Sequence, residues 1–414
     1  YLGGGVVNAE QPDLLPLVEF DTLESVPALH VPSSSHPLVS IVIPVYNQFG
    51  YTYACLKSIA KNSGDVPYEV IIADDCSTDN SVAIVESYRE KFGGRLTISR
   101  MNKNSGCAAV PKNKGLTFSR GEYVSFIDAD DAITPTAFEE LYSVAKNFNA
   151  DVVACEKYFE VPEEFWHNAE FWKELEPVTY QEAEFVTEPT LLTDNLFERV
   201  QRYYQGGYLW NVWSKLVRRN FIIENEISFA EAAVGEDMIF TGCLIFAAER
   251  YILVPNVINF YRFIDDSISH VTGNDLNYFR KYLKALTAAF RYFNEFLSGR
   301  EFFRQNPATK YLVLERVWLE ISNYLLDLYD KFPVYEFDRI LREEFSADDN
   351  VALNAFAFNS SNIYSRRLSQ ALQDLEDLKK NARRDKAYIS ELENYILQTQ
   401  QHIAALENKI NCKE

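Results

Sequence analysis

The sequence predicts an α/β fold in which short apolar strands alternate with helices. From residue 39 onward, four apolar runs of strand length follow one another, separated by stretches long enough for a helix. Strands that are apolar along their whole length are typical of a parallel sheet, because helices bury both of its faces. The four runs are Val39–Val45, Glu69–Ala73, Leu96–Ser99 and Tyr123–Ile127. Such sheets bind ligands at the carboxyl ends of their strands, so the residues after each run are the first functional candidates.

The composition narrows the class of protein and of ligand. Of the 414 residues, 47% are hydrophobic and 14% are aromatic, which suffices for one large domain with smaller appendages. The formal net charge of −20 disfavours binding to nucleic acid and to anionic lipid, because such partners require a face that neutralises phosphates. The six cysteines have no Cys-x-x-Cys spacing, which argues against a disulfide framework and a zinc cage. We interpret them as reduced thiols of a cytoplasmic protein.

The chain divides into segments of different composition. Residues 1–38 contain a glycine triplet, a serine triplet and several prolines, as expected for a linker or for the tail of a preceding segment. Residues 39–272 hold the strand series, and residues 273–362 have apolar side chains at helical spacing, which predicts a helical region. The chain begins at Tyr1 without a signal peptide or a membrane-spanning run, so we expect it to be a segment of a longer polypeptide.

Residues 363–414 have a heptad pattern that predicts a coiled coil. Isoleucine and leucine dominate the a positions and leucine recurs at the d positions, a combination that favours a parallel two-stranded assembly. The period of 3.5 residues, rather than 3.6, is the signal for supercoiling. Asp385 and Thr399 occupy d positions and weaken the seam. The alternative is one long helix that folds back on the preceding helices.

Residues 160–200 form an acidic and aromatic segment within the strand series. The segment has eleven acidic side chains against two basic ones, Lys173 and Arg199. Its large aromatic residues include Phe165, Trp166, Phe171 and Trp172. A segment of this composition is expected to be a solvated insertion.

Polar residues follow the first two strands. The first strand ends in Pro44, Tyr46 and Asn47, and a proline without an N–H suits a strand mouth better than the middle of a sheet. A purely structural strand end would have the same pattern. Asp74 and Asp75 follow the second strand, where their carboxylates can accept hydrogen bonds from a nucleobase N–H or from ribose hydroxyls.

A loop rich in asparagine and glycine follows the third strand and enters a helix near Lys112 and Asn113. The N-terminus of a helix, together with a lysine, can hold phosphate oxygens. Turns of this composition also commonly do no more than reverse the chain, so a structural role is the alternative.

Three carboxylates, those of Asp128, Asp130 and Asp131, follow the fourth strand in one loop. Acids this close repel one another and are costly to bury unless a cation or N–H groups compensate their charge. A set of oxygen ligands suits Mg²⁺ or Mn²⁺ rather than zinc. A cap on the following helix would account for one of the carboxylates but not for three. The sequence therefore predicts a divalent cation that bridges to a diphosphate.

A second acidic pair, Glu236 and Asp237, follows Gly235 at the start of an amphipathic helix. Acids in a first helical turn are ordinary complements to the helix dipole. A functional role for this pair therefore depends on the motifs upstream.

Together these motifs resemble glycosyltransferase family 2. The family pattern is a Ser-Ile-Val-Ile-Pro-x-Tyr-Asn strand, an Asp-Asp-x-Ser-x-Asp turn, an Asp-x-Asp strand end and a Glu-Asp helix, and all four occur here in order between Val39 and Ser269. The resemblance implies a GT-A fold, the Rossmann-like α/β fold of nucleotide-diphospho-sugar transferases, here followed by the helical region and the coiled coil. It also implies a nucleotide-sugar donor, Mn²⁺ or Mg²⁺, and inversion at the anomeric carbon in one displacement.

The resemblance also assigns roles to residues. Asp237 is similar to the family's general base, with Glu236 beside it, and Asp130 to its metal ligand. The donor would contact Pro44, Tyr46, Asn47, Asp74 or Asp75, Lys112, Asn113, Asp128, Ala129 and Arg262. Lys215 and Arg218 are further candidates for contact with the diphosphate. His270 would complete the metal shell, but a lone histidine is more often structural.

Two positions depart from the family pattern. Cys76 stands where glycine is common, and Lys112 stands where many members have arginine. Lysine keeps the positive charge but loses the bidentate geometry of arginine, so the departure concerns the contact with phosphate and not the reaction class.

The resemblance thus implies a hexosyltransferase that moves a sugar from a UDP-sugar to a hydroxyl of a glycan or lipid-linked glycan, in bacterial surface polysaccharide synthesis. The coiled coil would form a homo-oligomer or dock a partner, and the protein would associate peripherally with the inner face of the cell membrane. A sugar-nucleotide pyrophosphorylase is an alternative, but it requires a glycine-rich loop after the first strand, where this chain has Tyr46 and Asn47. A coiled-coil assembly protein with a binding-only domain is another, but the carboxylates of Asp128, Asp130 and Asp237 are intact.

Overall fold

Two sheets, whose strands lie between residues 39 and 263, position most of the predicted site residues. In the computed structural model, the described residues are 36–61, 65–88, 96–166, 168–179, 185–264 and 275–323, with isolated residues beyond 331 and the helical run 393–404. The chain divides into two compact units, Tyr1–Val271 and Thr272–Glu414. Both sheets lie in the first unit.

The larger sheet contains eight strands. They are β1 Val39–Val45, β2 Tyr68–Asp74, β3 Leu96–Arg100, β4 Tyr123–Phe126, β6 Val152–Cys155, β8 Thr190–Leu191, β9 Lys215–Arg218 and β10 Tyr251–Val254. Their order in the sheet is β3-β2-β1-β4-β9-β6-β10-β8. The smaller sheet contains β5 Ala132–Ile133, β7 Phe159–Pro162 and β11 Asn259–Phe263, in the order β5-β11-β7.

Helices connect the strands and form most of the described part of the second unit. In the first unit they are α1 Phe49–Ala60, α2 Ser81–Tyr88, α3 Ala109–Phe118, α4 Ala137–Asn147, α5 Ala169–Lys173, α6 Leu196–Tyr204, α7 Arg219–Glu224 and α8 Glu236–Ala247. The second unit has α9 Leu276–Gly299, α10 Glu301–Gln305 and α11 Pro307–Asn323. Two 3₁₀ turns, Glu163–Phe165 and Val212–Ser214, precede α5 and β9.

The strands β1, β2 and β4 form because their side chains are buried on both faces, whereas β3, at the edge of the sheet, is only partly buried. Ile41 and Ile43 pack on one face in a core that includes Leu56 of α1, and Val42 lies on the other face beneath α3. The approach of α3 is so close that a Cβ added to Gly115 would lie 2.3 Å from Val42 Cγ1. This double burial is the physical reason for the apolar runs that predict these strands.

The large sheet is mixed. The prediction of a parallel sheet is correct for β1 to β4, and β6 and β10 are also parallel to each other, whereas β8 and β9 run antiparallel to their neighbours. β1 is parallel to β2 and β4, whereas β9 is antiparallel to both β4 and β6. Because β9 runs against β4, it begins at the edge where β4 ends. The segment before β9 therefore lies at the same edge as the residues that follow β1, β2 and β4.

The expectation of a solvated insertion over residues 160–200 is wrong for the two tryptophans of the segment, although Phe165 and Phe197 are exposed. Trp166 and Trp172 are buried together with Phe159 and Phe260 in a separate hydrophobic core beneath the small sheet. Trp172 Nε1 donates a hydrogen bond of 3.0 Å to the carbonyl oxygen of Trp166. Most of the acidic side chains that the structure describes in this segment are exposed, and the net composition does not reveal this division.

The second unit is helical over the residues that the structure describes. In α9 the buried face includes Phe279, Leu286 and Phe290, and the Phe290 ring lies 5.5 Å from that of Trp318 in α11. Most of the predicted coiled coil lies outside the described residues. Within the run 393–404, the a position Ile396 and the d position Thr399 are buried inside the single chain, as the alternative of a folded-back helix requires. The intermolecular coiled coil stays a prediction.

Candidate active site

One lysine joins three carboxylates at the edge of the large sheet where β4 ends and β9 begins. Lys112, in the first turn of α3, lies with its Nζ atom 2.8 Å from Asp237 Oδ1, 3.6 Å from Asp128 Oδ1 and 3.7 Å from Glu236 Oε1. Its side chain is 2% exposed, and Nζ lies 5.4 Å from the centre of the Phe229 ring. The structure thus brings together four residues that the sequence analysis singled out in three separate motifs. We call these four residues the lysine-carboxylate cluster.

The electrostatics of the lysine-carboxylate cluster are set by burial and by mutual charge. Burial opposes the charge of Lys112, but the carboxylates of Asp128, Asp237 and Glu236 outweigh it, and the pKa of Lys112 lies above its ordinary value. Burial, and next the charge of Asp237, raise the pKa of Glu236 to about 7. Burial also raises the pKa of Asp128, against the charge of Lys112. One cation therefore compensates three acids incompletely, a feature common at functional sites.

The start of α8 fixes the position of Asp237. Gly235 adopts φ 81°, in the left-handed region that favours glycine, and this turn places Asp237 in the first turn of the helix. While Asp237 Oδ1 faces Lys112, its Oδ2 accepts a hydrogen bond of 3.4 Å from the backbone N–H of Val212. The hydroxyl of Thr241 donates to the carbonyl oxygen of Trp210 at 2.7 Å and ties the same segment to α8. Asp237 is therefore held from two sides.

Asn113 does not contact the carboxylates of the cluster but binds the backbone of a segment that packs against it. Its Nδ2 donates to the carbonyl oxygen of Phe229 at 2.8 Å, and the N–H of Phe229 donates to its Oδ1 at 2.8 Å. The Phe229 ring stacks on Phe240 of α8 at 3.9 Å. Asn113 thereby fixes the segment that leads into the acidic helix, and its predicted contact with the donor stays a prediction.

Lys215 is buried and its ammonium binds a neighbouring loop, so its contact with the diphosphate stays a prediction. Its buried Nζ donates to the carbonyl oxygens of Leu209 at 2.8 Å and Asn211 at 2.6 Å, and lies 3.2 Å from Ser214 Oγ. Burial lowers the pKa of Lys215 to about 7. The lysine therefore holds together the loop that contributes the N–H of Val212 to Asp237.

Arg218 lies at the opposite edge of the sheet from the cluster. It pairs with Tyr123, the first residue of β4, whereas Asp128 follows the end of that strand. Its Nη2 donates to the carbonyl oxygen of Ala150 at 2.7 Å. The interpretation that Arg218 contacts the diphosphate is wrong, because the antiparallel direction of β9 carries it away from the site.

Arg262 supports the loop that follows β4. Its backbone N–H donates to Asp131 Oδ1 at 3.0 Å, and its Nε donates to the carbonyl oxygen of Asp130 at 2.9 Å. The guanidinium is fully buried, 3.7 Å from the centre of the Trp166 ring and 4.8 Å from that of Tyr51. These contacts fix the backbone of the acidic loop, and a contact of Arg262 with the donor stays a prediction.

Asp130 and Asp131 have different environments although they are neighbours. Asp131 is buried and accepts hydrogen bonds from Arg262 and from Asn259 Nδ2, the latter at 2.9 Å. Among the described residues, no other residue donates a hydrogen bond to the Asp130 carboxylate. Burial, and next the charge of Asp128, raise the pKa of Asp130 to about 6. Asp130 is the carboxylate of this loop that a bound cation would relieve.

The acidic loop fits a cation that is held jointly with a substrate. The described part of the chain contains no group of three His, Cys, Asp or Glu side chains that forms a complete metal site. Mg²⁺ is commonly bound through one or two carboxylates together with substrate phosphates, and the uncompensated oxygens of Asp130 meet that requirement. His270, the other predicted ligand, lies outside the described residues, and Ala129 lies half-buried between Asp128 and Asp130.

The two carboxylates at the end of β2, those of Asp74 and Asp75, accept hydrogen bonds from neighbouring loops. Both oxygens of Asp74 lie 3.2 Å from the N–H of Ser77. Asp75 accepts from Ser105 N at 3.0 Å, from Ser105 Oγ at 2.9 Å and from Asn104 Nδ2 at 3.0 Å. The sequence predicts no more than a turn at Asn104 and Ser105, because no local pattern shows that this loop meets Asp75. Which of the two acids meets a base stays a prediction.

The residues after β1 complete this edge of the sheet. Asn47 Oδ1 accepts a hydrogen bond of 2.7 Å from the N–H of Thr78 and so ties the end of β1 to the loop after β2. Tyr46 is 50% exposed and available to a ligand, and Pro44 is half-buried. Cys76 has φ 63°, a conformation that glycine adopts without strain, which explains why glycine is common at this position.

Known proteins are similar to this chain in sequence. The family model described as Glycosyl transferase family 2 matches residues 40–199. The uncharacterized glycosyltransferase YibD of Escherichia coli is 30% identical over 249 residues, which are 59% of this chain and 68% of YibD. The poly(ribitol-phosphate) β-N-acetylglucosaminyltransferase TarP of Staphylococcus aureus is 26% identical over 245 residues, which are 57% of this chain and 68% of TarP.

The fold is similar to that of solved structures. The crystal structure of residues 1–349 of S. aureus TarS in complex with UDP-GlcNAc matches with a TM-score of 0.53 and 18% identity, over 91% of this chain and 92% of that one. The similarity shows the α/β fold of the GT-A type, with its mixed sheet. Together with the similarity in sequence to YibD and the family match, it leads to the conclusion that this chain is a glycosyltransferase and belongs to glycosyltransferase family 2.

Proposed function

We propose that this enzyme transfers a sugar from a UDP-sugar to a hydroxyl of a glycan or lipid-linked glycan, with inversion, in the synthesis of a bacterial surface polysaccharide. The observation that carries the proposal is the lysine-carboxylate cluster, in which Asp237 and Glu236 lie beside Asp128 within the reach of one ammonium group. Support for the donor comes from TarS, whose matching structures contain UDP and UDP-GlcNAc. Support for the acceptor comes from TarP and TarS, which are named for transfer to poly(ribitol-phosphate).

Asp237 is the residue that accepts the proton of the attacking hydroxyl. The acceptor oxygen forms a bond to the anomeric carbon on the side opposite the nucleotide, the bond from that carbon to the diphosphate oxygen breaks, and the hydroxyl proton passes to the carboxylate. A single displacement of this kind inverts the configuration at the carbon. The N–H of Val212 and the ammonium of Lys112 hold the carboxylate in one orientation, which is what general-base catalysis requires.

Asp130 would hold Mn²⁺ or Mg²⁺, with His270 as a further candidate ligand. When bound, the cation supplies charge that compensates the departing diphosphate. Asp128 then lies between the acidic loop and Lys112 and faces the ribose or the sugar. The exposed ring of Tyr46 and the ordered turn around Asp75 form the wall on which the base is bound.

We assign Lys112 to the general base, Asp237, instead of to the phosphates of the donor. Its ammonium lies closest to Asp237, and its side chain is enclosed by the three carboxylates and the Phe229 ring. We therefore assign to it the positioning of Asp237, a role different from the phosphate contact that the helix N-terminus suggests.

The location and the assembly of the enzyme follow from its substrates. A nucleotide-sugar donor is a cytoplasmic metabolite, and a lipid-linked acceptor places the reaction at the inner face of the membrane. Within the described part of the chain, no helix combines the length and the apolar composition that a membrane span requires. The heptads of residues 363–414 would provide a homo-oligomer or a docking site for a partner of the same pathway.

The test is the release of nucleoside diphosphate from UDP-, GDP- and dTDP-sugars, with and without Mn²⁺. We expect metal-dependent turnover of one UDP-sugar, reduced by about 10²- to 10⁴-fold in Asp237→Asn because the general base is removed. Asp65→Asn is the matched control, since it makes the same chemical change at an exposed position. Equal rates for the wild type and Asp237→Asn would contradict the assignment of the base. The absence of both turnover and metal-dependent donor binding would favour the binding-only alternative.

A further inference from the structure

The segment from β3 to the end of α3 differs in charge from the rest of the chain. Residues 96–121 contain five basic side chains and no acidic one, whereas the whole chain has 40 basic and 60 acidic residues. The five are Arg100, Lys103, Lys112, Lys114 and Arg120. Lys112 is enclosed by the catalytic carboxylates, and Arg120 pairs with Glu69 at 2.6 Å. The other three are exposed to solvent.

An open groove lies between the end of β3 and the outer face of α3. Its volume is about 520 Å³, within the usual range for a ligand site. The apolar lining comes from Met101 and Val110, and the polar lining comes from Arg100, Asn102, Asn113, Lys114 and Thr117. We call this feature the α3 groove.

Arg100 is anchored at the mouth of the α3 groove. Its Nη2 donates to the carbonyl oxygen of Ser77 at 2.8 Å, and its Nε lies 3.5 Å from the buried carboxylate of Asp74. The side chain is nevertheless 52% exposed, so one face of a fixed guanidinium is open to a ligand. A cation that is held in place loses little conformational freedom when it binds an anion.

Lys114 supplies a second cation beside an exposed aromatic ring. Its Nζ lies 5.2 Å from the centre of the Phe118 ring, and that ring is 40% exposed. A cation next to an aromatic face suits a ligand in which phosphate groups alternate with sugar or polyol units. The exposed Lys103 follows Asn102 directly and adds a third positive charge.

The α3 groove is separate from the catalytic cluster but close to it. Lys112 and Lys114 are two residues apart on one helix, so their side chains point about 200° apart around the helix axis. The groove and the cluster therefore lie on opposite sides of α3, roughly 10 Å apart across a helix. Arg100 belongs to the strand end that borders the donor side of the site.

We propose that the α3 groove binds the phosphate groups of a phosphate-bearing acceptor polymer. The inference rests on the proposed function and names the chemical class of its acceptor. The net charge of −20 disfavours a polyanion over the chain as a whole, but residues 96–121 hold no acidic side chain, and charges more than about 8 Å apart in water are largely screened at physiological salt. A polymer held in the groove keeps successive acceptor units near Asp237 and raises their effective concentration there.

The experiment measures binding of fluorescently labelled poly(ribitol phosphate) to the full chain. We expect Lys103→Glu/Lys114→Glu to weaken binding by about tenfold or more, since two attractions become repulsions. The matched control is Lys281→Glu/Lys284→Glu, which makes the same change in net charge at two exposed lysines of α9. We also expect wild-type binding to weaken as salt rises from about 50 mM to about 200 mM, and to do so more steeply than that of the groove variant.

The outcomes separate this proposal from the function on which it rests. Metal-dependent donor hydrolysis should be unchanged in both double variants, because neither alters a residue of the active site. Loss of hydrolysis in the wild type would remove the proposed function itself. Intact hydrolysis without polymer binding, or equal weakening in the two variants, would overturn the groove alone. Equal binding to a neutral dextran, to anionic lipid vesicles or to single-stranded DNA would likewise overturn its assignment to a phosphate polymer.

Discussion

The active site contains two sets of acidic residues, and the fold compensates their charges to different degrees. After β2, Asp74 and Asp75 are buried, and their oxygens accept hydrogen bonds from Ser77, Asn104 and Ser105. In the lysine-carboxylate cluster, three carboxylates share one ammonium. Hydrogen bonds that fill the capacity of a carboxylate make it part of the framework, whereas incomplete compensation leaves charge for a substrate or a cation to use.

The largest effect on stability is expected at Lys112. Replacement by methionine leaves Asp128, Glu236 and Asp237 facing one another without a cation, and we expect a loss of about 3 kcal/mol in the free energy of unfolding. Lys112→Arg should retain most of that stability, because it keeps the charge. Urea unfolding measures the difference, with Lys114→Met on the exposed face of the same helix as the control, expected within about 0.5 kcal/mol of the wild type. A Lys112→Met variant as stable as the wild type would show that the ammonium does not hold the cluster together.

A substitution of Asp75 tests whether the hydrogen-bonded carboxylates after β2 stabilise the fold. Asp75→Ala removes the acceptor of Ser105 N, Ser105 Oγ and Asn104 Nδ2 and leaves buried donors unsatisfied, so we expect a loss of about 2 kcal/mol in the free energy of unfolding. Thermal unfolding of the two proteins measures it. Unchanged stability combined with lost donor binding would reverse the assignment and make Asp75 a ligand contact.

Glu236 should make the stability of the protein depend on pH. Its folded-state pKa of about 7 lies above the ordinary value of 4.5, so the folded protein binds more protons than the unfolded one between these values. The stability that Glu236 contributes is therefore fully present below about pH 4.5 and is lost as the pH rises through about 7. Glu236→Gln should remove this dependence, so that the variant gains about 1 kcal/mol or more relative to the wild type between pH 5 and pH 8. Urea unfolding at both pH values measures the gain; a constant difference between the two proteins would count against a raised pKa.

Asp130→Ala should cause the smallest loss of stability. No other described residue donates a hydrogen bond to its carboxylate, and its charge adds to burial in raising the pKa of Asp131, so the variant should lower the free energy of unfolding by less than about 0.5 kcal/mol. The same variant should lose metal-dependent turnover of the donor. Calorimetric titration with Mn²⁺ in the presence of UDP follows the metal directly. A loss of stability as large as that of Asp75→Ala would place Asp130 in the framework.

The sequence alone was sufficient to predict the strands β1 to β4 and the order of the acidic motifs, because burial of a strand and the ends of strands leave local patterns. It predicted neither the antiparallel β9 nor the burial of Trp166 and Trp172, since net composition does not reveal which side of a segment meets a core. The partner of Lys112 was decided by tertiary structure alone. The lysine and Asp237 are separated by 125 residues, and an ammonium at a helix N-terminus has the same local sequence whether it meets a phosphate or a carboxylate. Only the packing of α3 and α8 on the edge of one sheet brings this cation to this base.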